Sequence, residues 1–274
     1  MKLTEPLVIL IDLDGTIQGN VWPQVWEYET IGIISGVIKE KVHYKDALLS
    51  HDLDKGLLRP QFAEALIDIK RKHPNVEFFV YTASSDEWAN FLVPKIIKHC
   101  FGSKNIINLP LFTRKHCMSN GKKRIANVKP EIVSSLNKKY PRAVFSNIFL
   151  VDNNPVLHGR ESDKLILCPT YDKTILLCPI RMIPKDVLTR DYKFIEKVLF
   201  GTQTSKDLQE FLAIYYTKML KKFIEITKHN ASYTKDNYWI QFRNIMLTKK
   251  HIVNHQDVDF VVKKLKNISY KPLI

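Results

Sequence analysis

Short apolar runs that stop abruptly at oxygen-bearing side chains punctuate the first half of the chain. Leu7–Ile11 run into Asp12-Leu13-Asp14-Gly15-Thr16, and Phe78–Tyr81 into Thr82-Ala83-Ser84-Ser85. A third run, Ile148–Val151, ends in Asp152-Asn153-Asn154-Pro155. Continuous apolar runs of this length predict strands buried on both faces, over about 7–12, 77–81 and 147–151. Helical apolar spacing falls between them, over 61–72, 85–99 and 130–139, with shorter strands near Ile106, at Phe112 and over 165–167. Strands alternating with helices predict an α/β fold with a mostly parallel sheet, and ligands of such sheets collect at the carboxyl ends of the strands.

Pro169, Pro179 and Pro184 mark a change of character. From Asp186 onward the spacing is helical, through Val187, Phe194, Val198, Leu208, Phe211, Leu212, Tyr215 and Leu220, and Thr204-Ser205-Lys206-Asp207 reads as a helix start. The chain is therefore expected to divide into an α/β domain over 1–184, carrying an insertion over 17–58, and a helical region over 185–274. That region is either packed on the first domain or a small domain of its own. Trp22, Trp26 and Tyr28 make the insertion aromatic. It is expected to roof the strand ends, its aromatics serving as core or as substrate contacts.

Asp12 and Asp14 stand at i and i+2 of an extended segment, so both carboxylates lean to one face, and Gly15 lets the chain turn just after them. Two crowded acids repel unless a cation or a shared proton offsets them. Such a pair suits a nucleophile, a general acid/base and a divalent ion between them; an ordinary Asp-Gly turn after a strand is the structural alternative. Thr82, Ala83 and Ser84 lie at a strand-to-helix turn, where free N–H groups receive anions. Asp152 and Asn153 offer hard oxygen ligands suited to Mg²⁺.

These motifs, in this order, resemble the haloacid dehalogenase superfamily. Arg59-Pro60, Tyr81-Thr82-Ala83-Ser84, Arg114-Lys115-His116-Cys117 and Val151-Asp152-Asn153-Asn154-Pro155 resemble more narrowly the C-terminal-domain phosphatases of RNA polymerase II, the NLI-interacting-factor-like group, over about residues 5 to 180. The resemblance implies a Rossmann-like haloacid dehalogenase fold and a Mg²⁺-dependent phosphatase acting on phosphoserine or phosphothreonine of a protein. By the same resemblance Asp12 is the nucleophile, Asp14 the acid/base, and Thr82 with Ala83 the phosphate cradle. Asp12, Asp14, Asp152 and Asn153 would hold the metal. A lysine should neutralise the phosphate: Lys129, in Val128-Lys129-Pro130-Glu131, matches the family pattern best, with Lys122 and Lys123 as alternatives. The chain departs from the group at Gly15, where Glu is usual, and at Ile17-Gln18-Gly19, where Leu-Val-His is usual. Substrate choice is therefore open, and a scaffold or virion-associated protein on the same fold is the non-enzymatic alternative.

A formal net charge of +14 and a pI near 9.5 add a second theme. Lys218, Lys221, Lys222, Lys249, Lys250, Lys263, Lys264 and Lys266 interleave with aromatics in the C-terminal region. This pattern suits a polyanionic or nucleic-acid partner, and so a nucleic-acid end phosphatase is a rival activity; a solvated lysine face over an aromatic core is the plainer reading. Four sparse cysteines, Cys100, Cys117, Cys168 and Cys178, predict reduced thiols in a cytoplasmic or nuclear setting rather than a disulfide framework. No apolar run approaches a membrane span, and no secretion signal is apparent.

Overall fold

A computed structural model describes residues 5–19, 49–157, 159–173, 232–252 and 254–268. It contains a parallel sheet in the order β2-β1-β3-β4, built from β1 (Leu7–Ile11), β2 (Val76–Val80), β3 (Ile148–Asp152) and β4 (Leu165–Leu167). The expected α/β class, mostly parallel, is the observed one. Registers of Ile11 with Val80 and of Ile11 with Val151 bring the ends of β2 and β3 to either side of the end of β1.

Every residue of β1 is buried, as a central strand covered on both faces requires. Val8 and Leu10 face a core shared with Phe79, Tyr81, Phe112, Ile148 and Leu150. Helix α3 (Ile125–Leu136) closes that core with Ile125, Val128, Ile132 and Leu136, a 3-4-4 stripe on one helical face. Helix α1 (Phe62–Lys72) buries Phe62, Ala65, Leu66 and Ile69, and Lys70, Arg71 and Lys72 in its last turn complement the helix dipole. Helix α2 (Asp86–Phe101) is capped by the Ser85 hydroxyl, which accepts from the Trp88 N–H at 3.3 Å.

Two features differ from the sequence expectation. Helix α3 starts at Ile125 rather than at Pro130, because the Glu161 carboxylate accepts from the N–H groups of Ile125 (2.7 Å) and Ala126 (3.0 Å) and caps the helix from a distant loop. The strands expected near Ile106 and at Phe112 shrink to single bridges, Phe78 with Ile107 and Tyr81 with Phe112.

The chain forms two compact units that cut across the expected division at residue 184. One unit comprises 1–19, 58–172 and 235–274; the other comprises 20–57 and 173–234. In the first, α4 (Tyr238–Leu247) lies against α1, with the Trp239 and Phe62 rings 5.1 Å apart, and α5 (His255–Lys266) lies beside β4. Residues 235–268 thus belong with the sheet. In the second unit, Leu49, Leu53 and Leu57 are buried at four-residue spacing. Trp22, Trp26, Tyr28, Cys178, Lys218, Lys221, Lys222 and the helical positions expected from Val187 to Leu220 lie outside the described residues. Among the described residues no helix is long and apolar enough to cross a membrane.

Candidate active site

Where β1 ends, the Asp12 carboxylate is 6% exposed and meets the ammonium of Lys123, which also bonds Asp152 Oδ2 at 2.7 Å. Lys123 is itself 1% exposed. Its backbone pairs with the segment after β3, the Lys123 N–H donating to Val156 O at 3.0 Å, and this directs the side chain inward between the two strand ends. The Tyr81 ring lies 5.5 Å beneath the ammonium.

Asp14 is held at both oxygens. The Ser84 hydroxyl donates to Oδ2 at 2.5 Å, and the Gln18 amide Nε2 donates to Oδ1 at 2.9 Å. Gln18 is fully buried, and its Oε1 has no partner among the described residues. The turn just after these acids needs Gly15: its φ is +79°, and a Cβ there would stand 2.6 Å from Asn153 Nδ2. The glutamate usual in the resembled group would be strained at this position.

Thr82 is buried at the end of β2, and its Oγ1 accepts from the Ser84 N–H at 3.1 Å. Ala83 O accepts from Arg114 Nε at 2.8 Å, which ties the Arg114–Cys117 segment to this turn. Asp152 Oδ1 accepts from the Asn154 N–H at 2.8 Å, while Asn153 contacts Thr170 and Thr16. The structure therefore brings Asp12, Asp14, Thr82, Ala83, Asp152 and Asn153 to one end of the sheet.

Lys129 is a correction. It is exposed on α3, whose stripe of Ile125, Val128 and Ile132 faces the core and leaves position 129 outward. Lys122 is exposed too, so the cluster's cation is Lys123, one of the two alternatives. Nothing in the spacing of Lys122, Lys123 and Lys129 distinguishes them. The choice is made by the bridge between Lys123 and Leu157, a contact between segments far apart in sequence. For the same reason nothing in the sequence marks Gln18 and Ser84 as partners of Asp14, although Gln18 is visible there as a departure from the family pattern.

Burial, with help from Asp152 and Asp14, pushes the Asp12 carboxyl up to about 7 against the pull of Lys123. Burial also opposes the charge on Lys123, but Asp12 and Asp152 outweigh it and hold the ammonium above its ordinary value. Three carboxylates with one ammonium leave an excess of negative charge that a divalent cation would offset. Among the described residues no three His, Cys, Asp or Glu side chains form a ready metal cage. Mg²⁺ does not need one: it is commonly held by one or two carboxylates with waters and phosphate oxygens. Asp12, the Asp14 carbonyl and Asn153, supported by Asp152, fit that demand.

No curated protein matches the chain. Solved structures similar to it include an arginine-to-alanine variant of the fission yeast RNA polymerase II CTD phosphatase Fcp1 bound to beryllium fluoride, and Fcp1, described as an essential RNA polymerase II CTD phosphatase. The first is 15% identical, with 95% of this chain and 62% of that chain covered and a TM-score of 0.40. The second is 14% identical, with 82% and 66% covered and a TM-score of 0.36. This chain spans less than two thirds of either. The profile of the NLI interacting factor-like phosphatases matches residues 7–180, a stretch that includes all three strand ends and every residue of the cluster, and the chain belongs to that family.

Proposed function

We infer that this chain is a Mg²⁺-dependent phosphatase that works through an aspartyl-phosphate on Asp12, with phosphoserine or phosphothreonine of a protein as substrate. The observation that carries the reading is the buried Lys123 ammonium shared by Asp12 and Asp152, with Asp14 fixed beside them. An Asp12 oxygen attacks phosphorus while the ester P–O bond breaks, and the Asp14 carboxyl gives its proton to the leaving oxygen. The Asp14 carboxylate then takes a proton from a water that attacks the same phosphorus, and breaking the bond to Asp12 frees inorganic phosphate. Thr82 and the Ala83 N–H hold phosphoryl oxygens, and Lys123 favours the ionised form of Asp12 against its burial. Mg²⁺, held by Asp12, the Asp14 carbonyl and Asn153, would supply positive charge to offset that of the phosphoryl group and the nucleophile.

The substrate named for the two similar phosphatases, the C-terminal domain of RNA polymerase II, is the first protein to try, and the sparse cysteines favour a nuclear or cytoplasmic location. The formal charge of +14 favours one rival, a phosphatase of nucleic-acid ends. A screen of phosphopeptides against 3′- and 5′-phosphorylated oligonucleotides separates the two. In the same assay Asp12→Asn should abolish turnover of an aryl phosphate, and EDTA should silence the wild type until Mg²⁺ is restored. Asp14→Asn should slow poor leaving groups by roughly 10²–10⁴-fold, and good leaving groups less. Turnover surviving Asp12→Asn would exclude the aspartyl-phosphate.

A further inference from the structure

Three consecutive carbonyls of the turn behind Asp12 and Asp14 are taken by three different stretches of chain. Gly15 O accepts from the Tyr171 N–H at 2.8 Å and Ile17 O from the Arg59 N–H at 2.8 Å. Between them, Thr16 O accepts from the Trp239 indole N–H at 3.4 Å. The same stretches converge on one guanidinium. Arg59, 1% exposed, donates Nε and Nη2 to the two oxygens of Asp236, at 3.0 and 2.8 Å, and Nη1 to Pro169 O at 2.9 Å. It lies 4.7 Å from the Tyr238 ring centroid and 5.6 Å from that of Tyr171. Asp236 Oδ1 also accepts from the Tyr238 N–H at 3.2 Å, which fixes the start of α4.

As a stabiliser this pair has little advantage over apolar side chains, because desolvating two charges offsets most of their attraction. Its distinctive property is geometric: a planar fork with each of its three nitrogens bonded locks Pro169, Tyr171 and Asp236 in fixed relation to Arg59. Arg59, Tyr171 and the neighbour of Tyr238, Trp239, are the residues that grip the turn.

We propose that Asp236 and Trp239 are positioning residues for phosphoryl transfer, acting on the Asp12–Asp14 turn through Arg59 and Thr16. Catalysis then depends on a stretch of chain beyond the family-matched residues 7–180. The inference rests on Asp12 and Asp14 being the reacting carboxylates. Asp236 and Trp239 are both buried, and each acts on where the backbone of the turn sits, not on substrate. A displacement of about 1 Å at reacting groups costs on the order of 10²-fold in rate.

Two variants of the full chain test this. Arg59→Met with Asp236→Leu exchanges the pair for apolar groups and strands no charge; Trp239→Phe removes the indole N–H and keeps a packed ring. With an aryl phosphate, kcat should fall roughly 10–100-fold in the double variant and several-fold in Trp239→Phe, with KM changed by less than about twofold. Hydrogen exchange should quicken at amides 13–18 while those of α1 and α3 keep their protection. Arg243→Ala, a change on α4 like Trp239→Phe, cuts the partly exposed pair with Asp68 of α1 and should leave kcat unchanged. Unchanged kcat with unchanged exchange at 13–18 in either variant overturns the proposal. So does faster exchange in every element with activity lost only in proportion to unfolded protein. If the wild type lacked phosphatase activity, the proposed function would fall, while exchange at 13–18 would still decide whether these residues hold the turn.

Discussion

At Asp12 a buried carboxylate is raised by its surroundings and lowered by a single ammonium, so the charge state of the site depends on Lys123. Lys123→Met should leave three acids without their cation and cut kcat by at least about 10²-fold, since an essential electrostatic partner is removed. Lys129→Met should leave kcat within about twofold, the shift expected for an exposed side chain. Steady-state kinetics with an aryl phosphate compares the two, and equal losses would put the phosphate-neutralising role back on α3. The carboxylates are legible in sequence because D-x-D-G-T binds their spacing to a strand end. The lysine is not, because three candidates stand within eight residues and only a distant backbone bridge selects one.

Among the elements, β2, an outer strand of the sheet, carries an unusual burden for an apolar segment. Glu77 is 1% exposed and accepts from Lys70 Nζ (2.6 Å), Asn108 Nδ2 (2.9 Å), Lys139 Nζ (2.5 Å) and Tyr140 OH (2.5 Å). Burial alone would raise its carboxyl, but the bonds from Lys139, Lys70 and Tyr140 prevail and hold it below the usual glutamate value. A depressed carboxylate stabilises the fold above its unfolded pKa, near 4.3, and that contribution is lost as pH falls through the folded value. Glu77→Gln should therefore lower Tm at pH 7 by about 2–8 °C, corresponding to roughly 1–2 kcal/mol, and the difference should shrink as pH falls through the depressed folded value. Calorimetry across that range checks it; a gap that persists in acid would mean packing, not charge, is responsible. The strand itself is predicted from Phe78–Val80, within a residue of its observed ends. The ring of donors around Glu77 is not, because α1, the loop following α3 and the segment after α2 supply them separately.

For the whole molecule, the formal charge of +14 still calls for an account. Part of the C-terminal lysine set is engaged within the fold: Lys249 meets Asp257 at 3.0 Å and lies 4.6 Å from the Phe260 ring centroid, and Lys266 bonds the Asp163 carbonyl. Lys250, Lys263 and Lys264 are exposed, with Lys264 4.5 Å from the Phe260 ring centroid. If this face receives a polyanion, affinity for a single-stranded oligonucleotide should fall steeply with salt. Reversing Lys250, Lys263 and Lys264 should flatten that slope by about 0.7 for each phosphate no longer neutralised. Turnover of an aryl phosphate should stay within about twofold, as for other exposed positions. A slope indifferent to the reversals would leave these lysines as a solvated surface.

The order of apolar runs and their oxygen-rich ends determined the α/β class, the parallel sheet and the positions of Asp12, Asp14, Thr82, Asp152 and Asn153, because those properties follow from local periodicity and from what a buried strand can deliver at its end. Tertiary structure decided where α3 begins, which lysine enters the site, and that residues 235–268 belong with the sheet. Each of those depends on a partner far along the chain: Glu161 for the helix start, Leu157 for Lys123, and Arg59 for Asp236. The apolar spacing of α4 and α5 shows that they bury a face, but not against what; only α1, β4 and the buried guanidinium supply that answer.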